Sequence, residues 1–94
     1  MDNPAIRHQQ DRRRFAMEVD GHEGFVEYER DGDVLVITHT IVPPEIGGRG
    51  IAGQLVKAAL DHARAEGLKV RPDCSYADSY MRRHAEYAEL RAVG

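Results

Sequence analysis

Gly47-Gly48-Arg49-Gly50-Ile51-Ala52-Gly53, running on into Gln54-Leu55-Val56-Lys57-Ala58-Ala59-Leu60, joins a segment that ends in Pro43-Pro44 to the longest apolar period in the chain. Ile51, Ala52, Leu55, Val56, Ala59, Leu60 and Ala63 recur at helical spacing, with Gln54, Lys57, Asp61, His62 and Arg64 opposite them, which predicts an amphipathic helix. Gly67 supplies its stop. Glycine inside a helix costs roughly 0.5 to 1 kcal/mol relative to alanine, so a cluster of glycines at a helix start needs a reason. Without Cβ atoms a ligand can come close to the main chain, and the amides of a first helical turn have no intrahelical partner and suit phosphate oxygens. No Lys-Ser or Lys-Thr follows, so the triphosphate P-loop pattern fails. Taken alone the turn is either a phosphate site of unspecified kind or a flexible connector.

Working outward from that turn, the preceding residues predict an antiparallel meander. Phe15, Met17 and Val19 alternate with Ala16 and Glu18, as a half-buried strand requires, and Asp20-Gly21 is a hairpin signal. A second strand is expected over about 24–30, Asp31-Gly32 is a further turn signal, and a third strand runs from Val34 to Val42. Its start is apolar on both faces, which predicts a central strand covered on both sides, and Pro43 and Pro44 end it. Beyond the helix, Leu68 to Cys74 reads as a short strand returning in parallel to the same sheet, completing a βαβ crossover. Ser75 with Asp78 fits a capping box, and Tyr76, Ala77, Tyr80 and Met81 give a short helix to about His84 its apolar side. Residues 86–94 form either another helical turn or a frayed end. The fold class is α/β (α+β): an antiparallel β-meander, then a βαβ crossover and a short C-terminal helix.

Residues 1–13 are polar, lack a hydrophobic period and run into the cluster Arg12, Arg13 and Arg14, so a flexible N-terminal tail is expected there and a single domain over 14–94. With 94 residues there is room for one core, and 41% hydrophobic against 31% charged residues is the balance of a folded domain. Sixteen acidic and thirteen basic residues give a formal charge of -3, hence no global positive field to gather nucleic acid. The single cysteine, Cys74, cannot make an intramolecular disulfide, and no signal-peptide or bilayer-spanning run is present. A cytoplasmic protein with neither nucleic-acid nor membrane partners is expected.

Val42-Pro43-Pro44-Glu45, then GGRGIAG and Gln54-Leu55-Val56, resembles the acyl-CoA signature [QR]-x-x-G-x-[GA] of GCN5-related N-acetyltransferases (GNAT), which falls on Gly47 to Ala52. His39-Thr40-Ile41-Val42-Pro43, the glycine turn, Cys74-Ser75-Tyr76 and Arg82-Arg83-His84 together resemble the small, single-domain GCN5-like acetyltransferases, over nearly all of Phe15 to Tyr87. The resemblance implies a GNAT-like fold and transfer of an acetyl group from acetyl-CoA to an amine of a small molecule or protein, by a monomer or weak homodimer. It implies coenzyme A contacts at Val42, Gly47, Gly48, Arg49, Gly50, Ile51, Ala52, Gly53, Cys74 and Arg83. Two positions depart from the family pattern: Gly47 replaces the usual Arg or Gln, and Ile41 stands where an acid is more common.

Acyl transfer from a thioester to an amine needs a neutral nucleophile, a polarised carbonyl and a proton for the departing thiolate. Cys74, at the end of the returning strand, could carry the acyl group, act as the acid or be a small buried hydrophobe. Tyr76 and Tyr80 are the other acids within reach, and Tyr80 is taken as catalytic with Cys74. His39, expected on the same side of its strand as Leu35 and Ile37, is either a base acting through water or an imidazole paired with a carbonyl. Arg49, Lys57, Arg82 and Arg83 could meet CoA phosphates, Arg49 above the others. His8, His22, His62 and His84 show no metal-ligand spacing with Cys74, so no metal is expected. The alternative to an enzyme is a module that binds CoA or acyl-CoA without acceptor chemistry.

Overall fold

The computed structural model describes residues 6–93. Five strands form one sheet in chain order: β1 (Arg7–Gln9), β2 (Arg14–Val19), β3 (His22–Asp31), β4 (Val34–Ile41) and β5 (Lys69–Pro72). The first four pair antiparallel and β4 pairs β5 in parallel, as the crossover through α1 (Ile51–Ala65) requires. A second helix, α2, spans Ser75–Arg83, and 3-10 turns cover Gln10–Arg12, Pro44–Ile46 and Ala85–Leu90. Among the described residues no helix is long and apolar enough to cross a membrane.

The turns follow the local chemistry of the sequence. Asp20 and Gly21 both have positive φ (52° and 79°), the backbone twist that suits a two-residue hairpin loop between β2 and β3. At the far end of α1, the Gly67 N–H donates to Arg64 O (3.2 Å) and the Leu68 N–H to Ala63 O (2.8 Å), with Gly67 at φ 72°. This doubly bonded left-handed stop satisfies two of the last carbonyls of the helix.

Residues 7–13 correct the expected tail. Arg7–Gln9 is a strand paired with Arg14–Ala16, because His8 stacks on Phe15 at 4.1 Å and meets the Tyr28 hydroxyl at 2.6 Å, giving a polar segment an anchor that no period reveals. The remainder of that tail, residues 1–5, lies outside the described residues.

One core holds the elements together. Phe15, Met17, Val26, Leu35, Ile37 and Val70 point to the same side of the sheet and pack with Leu55, Val56 and Leu60 of α1, with Ala77, Tyr80 and Met81 of α2, and with Tyr87 and Leu90. The C-terminal segment, which the sequence left open, is thus docked. Helices cover only this face. Ala16 and Val36, on the other face, are buried among their cross-strand neighbours and stand outside the core cluster, so the apolar start of β4 does not have a layer on each side. Gly24 of β3 sets the height of α1: a Cβ there would come within 3.3 Å of Ile51 Cγ2 and 3.5 Å of Leu55 Cδ1, so its absence lets the first turn of the helix lie close on the sheet.

Candidate acyl-CoA site

The glycine turn leaves a run of donors exposed. α1 begins at N-cap Gly50 in the left-handed region (φ 75°), Gly48 is left-handed too (φ 77°), and no side chain caps the helix. The first amide of the helix to be engaged is that of Gln54, which donates to Gly50 O at 3.1 Å. Before it, the N–H groups of Gly48, Arg49, Gly50, Ile51, Ala52 and Gly53 have neither a backbone nor a side-chain acceptor among the described residues. The first turn contains no acid. Such an end, with free N–H groups at the positive pole of the helix, is a ready anion site.

A cleft of about 280 Å³ lies against these donors, lined by Val42, Ile46, Gly47, Gly48, Gly50, Ile51, Ala52 and Tyr76. The glycines have separate reasons. Cβ atoms on Gly48 or Gly50 would meet nothing within 4 Å, so positive φ is what those two positions demand. Gly53 lies under α2 instead: a Cβ there would sit 3.4 Å from the Tyr76 hydroxyl and 3.5 Å from Tyr80 Cε2. Gly48, Gly50 and Gly53 carry G-x-G-x-x-G spacing, yet residues 42–47, with their 3-10 turn, separate them from β4, so this is not the tight strand-to-helix turn of dinucleotide folds.

Two of the residues lining the cleft, Val42 and Tyr76, lie close in the chain to an opening in the sheet, although Cys74 itself does not line the cleft. Pairing between β4 and β5 stops at Ile37 and Pro72, where Ile37 O accepts from both Asp73 N–H (3.0 Å) and Cys74 N–H (3.1 Å). Beyond that point β4 runs on through Thr38–Ile41 with no partner on its β5 side, while the chain leaves β5 to begin α2. Cys74, half-buried, is the N-cap of α2, and its Sγ lies 3.3 Å from Thr40 Oγ1. The expected capping box does not form: Cys74 takes the cap position without a side-chain bond, and Asp78 turns to Arg91 (2.9 Å) and Arg82 (3.1 Å).

A bulge decides which β4 side chains reach this opening. Tyr28 faces Ile37 but Glu27 faces His39, so Thr38 is an extra residue, and its hydroxyl donates to Glu27 O at 3.2 Å. One inserted residue reverses the alternation. His39 is therefore not on the side of Leu35 and Ile37, as plain alternation predicts. It stands on the open face with Glu27, Nδ1 to Oε1 3.5 Å, and Thr40 takes the inward position beside Cys74. Sequence reasoning missed Thr40 for the same cause.

The remaining expected residues divide. Val42, Gly47, Gly48, Gly50, Ile51 and Ala52 all line the cleft. Tyr80 packs behind it, buried, with its ring 3.9 Å from that of His84, and burial pushes its hydroxyl above the usual phenol range, so it stays protonated. Tyr76 forms cleft wall that the sequence marked only as an alternative acid. Arg49 does not line the cleft; its guanidinium bonds Asp20 in the β2–β3 turn at 2.7 Å. Lys57 pairs with Asp61 (2.9 Å), and Arg83 is exposed on the last turn of α2 without lining the cleft.

A family model described as GCN5-related N-acetyl-transferase matches residues 14–90. The chain belongs to this family. Its relatives include Protein NATD1 of Mus musculus, 40% identical over 80 residues covering 82% of this chain and 73% of the mouse protein. Protein NATD1 of Danio rerio is 34% identical over 89 residues, covering 89% and 81%. The solution structure of a GCN5-like protein from Staphylococcus aureus superposes with a TM-score of 0.76 at 28% identity, covering 98% of this chain and 91% of that one. The GCN5-related N-acetyltransferase fold inferred from the sequence is thus the fold observed, with its five-stranded sheet and crossover helix.

Proposed function

We propose that this protein transfers an acetyl group from acetyl-CoA to an amine, with the CoA diphosphate on the amides of Gly48 to Gly53 and the pantetheine arm leading through the opening between β4 and Cys74. The observation that carries this reading is the unbroken run of six N–H groups without acceptors beside a cleft of about 280 Å³. A diphosphate supplies the acceptors such a run lacks. Because backbone atoms do the binding, Gly47 in place of the usual Arg or Gln leaves it intact.

In this reading a neutral amine nitrogen attacks the thioester carbonyl, the C–S bond breaks, and the CoA sulfur leaves with a proton. Cys74 beside Thr40, Tyr80 with its raised pKa, and Tyr76 in the cleft wall are the groups able to give that proton. Cys74 can alternatively take the acetyl group onto sulfur first and pass it to the amine. His39, on the open face next to Glu27, would accept the amine proton from that side. A binding module without acceptor chemistry is the second reading. It is favoured by Ile41, an apolar side chain 45% exposed at the position where the family more often carries an acid.

Titration of the protein with acetyl-CoA, followed by amide NMR and intact mass, separates these readings. Transfer predicts shifts at Gly48 to Gly53 together with thiol release when amines are added. A gain of one acetyl group on Cys74 would mark the covalent route. Shifts with neither thiol release nor acetylation would leave the binding module, and an absence of shifts in the glycine turn would overturn both.

A further inference from the structure

A second cavity, larger than the glycine cleft, lies elsewhere among the described residues. It measures about 390 Å³ and lies on the open face of the sheet, between the Gln10–Arg12 turn and the bulged stretch of β4. Asp11, Arg12 and Arg13 form one wall, and Glu27, Tyr28, Glu29, Thr38 and His39 form the other. At the lower end of the roughly 300 to 1,000 Å³ range of small-ligand pockets, it suits a small molecule.

Both walls are fixed in place. Arg13 has a left-handed backbone (φ 53°), unusual for a residue with a side chain, and is held there from both sides. Its N–H donates to Gln10 O (3.1 Å), and its carbonyl accepts from the Tyr28 N–H (2.9 Å). On the strand wall, the bulge at Thr38 turns His39 to stand beside Glu27 at 3.5 Å. The walls differ in chemistry, with the guanidinium groups of Arg12 and Arg13 beside Asp11 on the first and the carboxylates of Glu27 and Glu29 with the imidazole of His39 on the second. Arg13 also meets Glu29 at 3.0 Å, but both side chains are at least 60% exposed, and an exposed pair of this kind exchanges readily for a ligand.

The segment 38–42 joins this cavity to the acyl-CoA cleft. Thr38 and His39 line the former, Thr40 touches Cys74, and Val42 lines the latter. Along that stretch β4 is unpaired on its β5 side.

We propose that this open-face cavity is the acceptor site, and that it takes a small zwitterionic amine of the amino-acid type, with its ammonium at Glu27 and His39 and its carboxylate at Arg12 and Arg13. The assignment rests on the acetyl-transfer reading for its purpose but not for its binding. A guanidinium fork matches a carboxylate in two parallel hydrogen bonds, and a carboxylate next to an imidazole both attracts an ammonium and gives its proton a place to go. A lysine within a protein has no free carboxylate and would use only half of the site.

The test is a binding and turnover series on the full chain, using free amino acids, the carboxamide of each and the corresponding decarboxylated amine. The free amino acid should shift the resonances of Arg13, Glu27 and His39 and bind at least tenfold more tightly than its carboxamide. Glu27→Gln, and separately the double variant Arg12→Ala with Arg13→Ala, should each lose at least tenfold of that affinity while acetyl-CoA affinity changes less than twofold. Equal binding of acid and carboxamide, or shifts elsewhere on the surface, would overturn the assignment. If acetyl-CoA fails to bind while the amino acid still occupies the cavity, the acetyl-transfer reading falls and the pocket stands.

Discussion

The two helices start in opposite ways. α1 opens on a left-handed glycine, with no side-chain cap, no acid in its first turn and a run of amides without acceptors. α2 opens on Cys74 in an extended conformation, and Asp78 supplies negative charge in its first turn while pairing with Arg82 and Arg91. Glycine in place of a capping Ser, Thr, Asp or Asn costs a helix only about a few tenths of a kcal/mol, so the state of α1 is a small sacrifice of stability at one site. The offsetting contributions lie elsewhere, in the doubly bonded stop at Gly67 and in the apolar face of α1, where Leu55, Val56, Ala59 and Leu60 are all fully buried. Neither helix has a side-chain cap, but Asp78 puts a negative charge in the first turn of α2, whereas the first turn of α1 has none. In the acetyl-transfer reading, the open end of α1 is the one that takes a ligand.

Supplying a carboxylate in cis is the strongest way to break that contrast. Ala52→Asp places an acid in the first turn of α1, where the helix dipole favours it by about 0.3 to 1 kcal/mol. Thermal stability should therefore rise slightly. CoA affinity should fall about a hundredfold, the equivalent of losing about 3 kcal/mol in charge-assisted bonds to phosphate. Calorimetric titration alongside a melting curve reads both. A variant that melts higher and still binds CoA normally would mean that these amides are not the phosphate site.

The converse substitution acts on α2. Asp78→Asn removes the first-turn charge and the contacts to Arg82 and Arg91, and should cost about 1 kcal/mol of stability while leaving CoA affinity unchanged. Denaturant midpoints and a CoA titration check the pair of expectations. A loss of CoA binding here would show the second helix start to be part of the same site.

Acidification gives the smallest effect and sharpens the comparison by sparing the open end. His8 is held below the ordinary imidazole value, first by burial and then by the nearby His62, whose ring centroid lies 4.5 Å away in the last turn of α1. The folded state thus favours neutral His8. Between its lowered value and the ordinary 6.5, the unfolded chain binds more protons, so this contribution is complete above about pH 6.5 and is lost as the pH falls below it. Melting curves from pH 7.5 to 5 should show a decline that His8→Gln reduces. Affinity for dephospho-CoA should stay level, because backbone donors do not titrate. A parallel fall in affinity would tie the N-terminal strand to the cleft.

Much of this molecule is legible in short stretches of sequence, because turns and helix ends obey local rules. Asp20-Gly21, Gly67 and the helical period of 51–63 each specify their structure through the φ that glycine allows or the face that burial requires. The glycine turn belongs with them: its unpartnered amides follow from the helix start itself. Side-chain sites across the sheet are of another kind. The extra residue at Thr38 has no local signature, yet it sends His39 outward and Thr40 inward to Cys74. The strand at Arg7–Gln9 exists because His8 finds Phe15 and Tyr28, one of them twenty residues on. Asp78 leaves its expected capping role for Arg91, which only the docked C-terminus brings near.

By itself, then, the sequence determined the order of the elements from β2 to α2, the crossover and the anion-ready start of α1, since each depends on the conformational preferences of neighbouring residues. Which face each β4 side chain presents, and so which groups meet at the opening in the sheet, was decided only by tertiary structure. A strand's two faces differ by a single residue of register, and that register is set by pairing with strands distant in sequence.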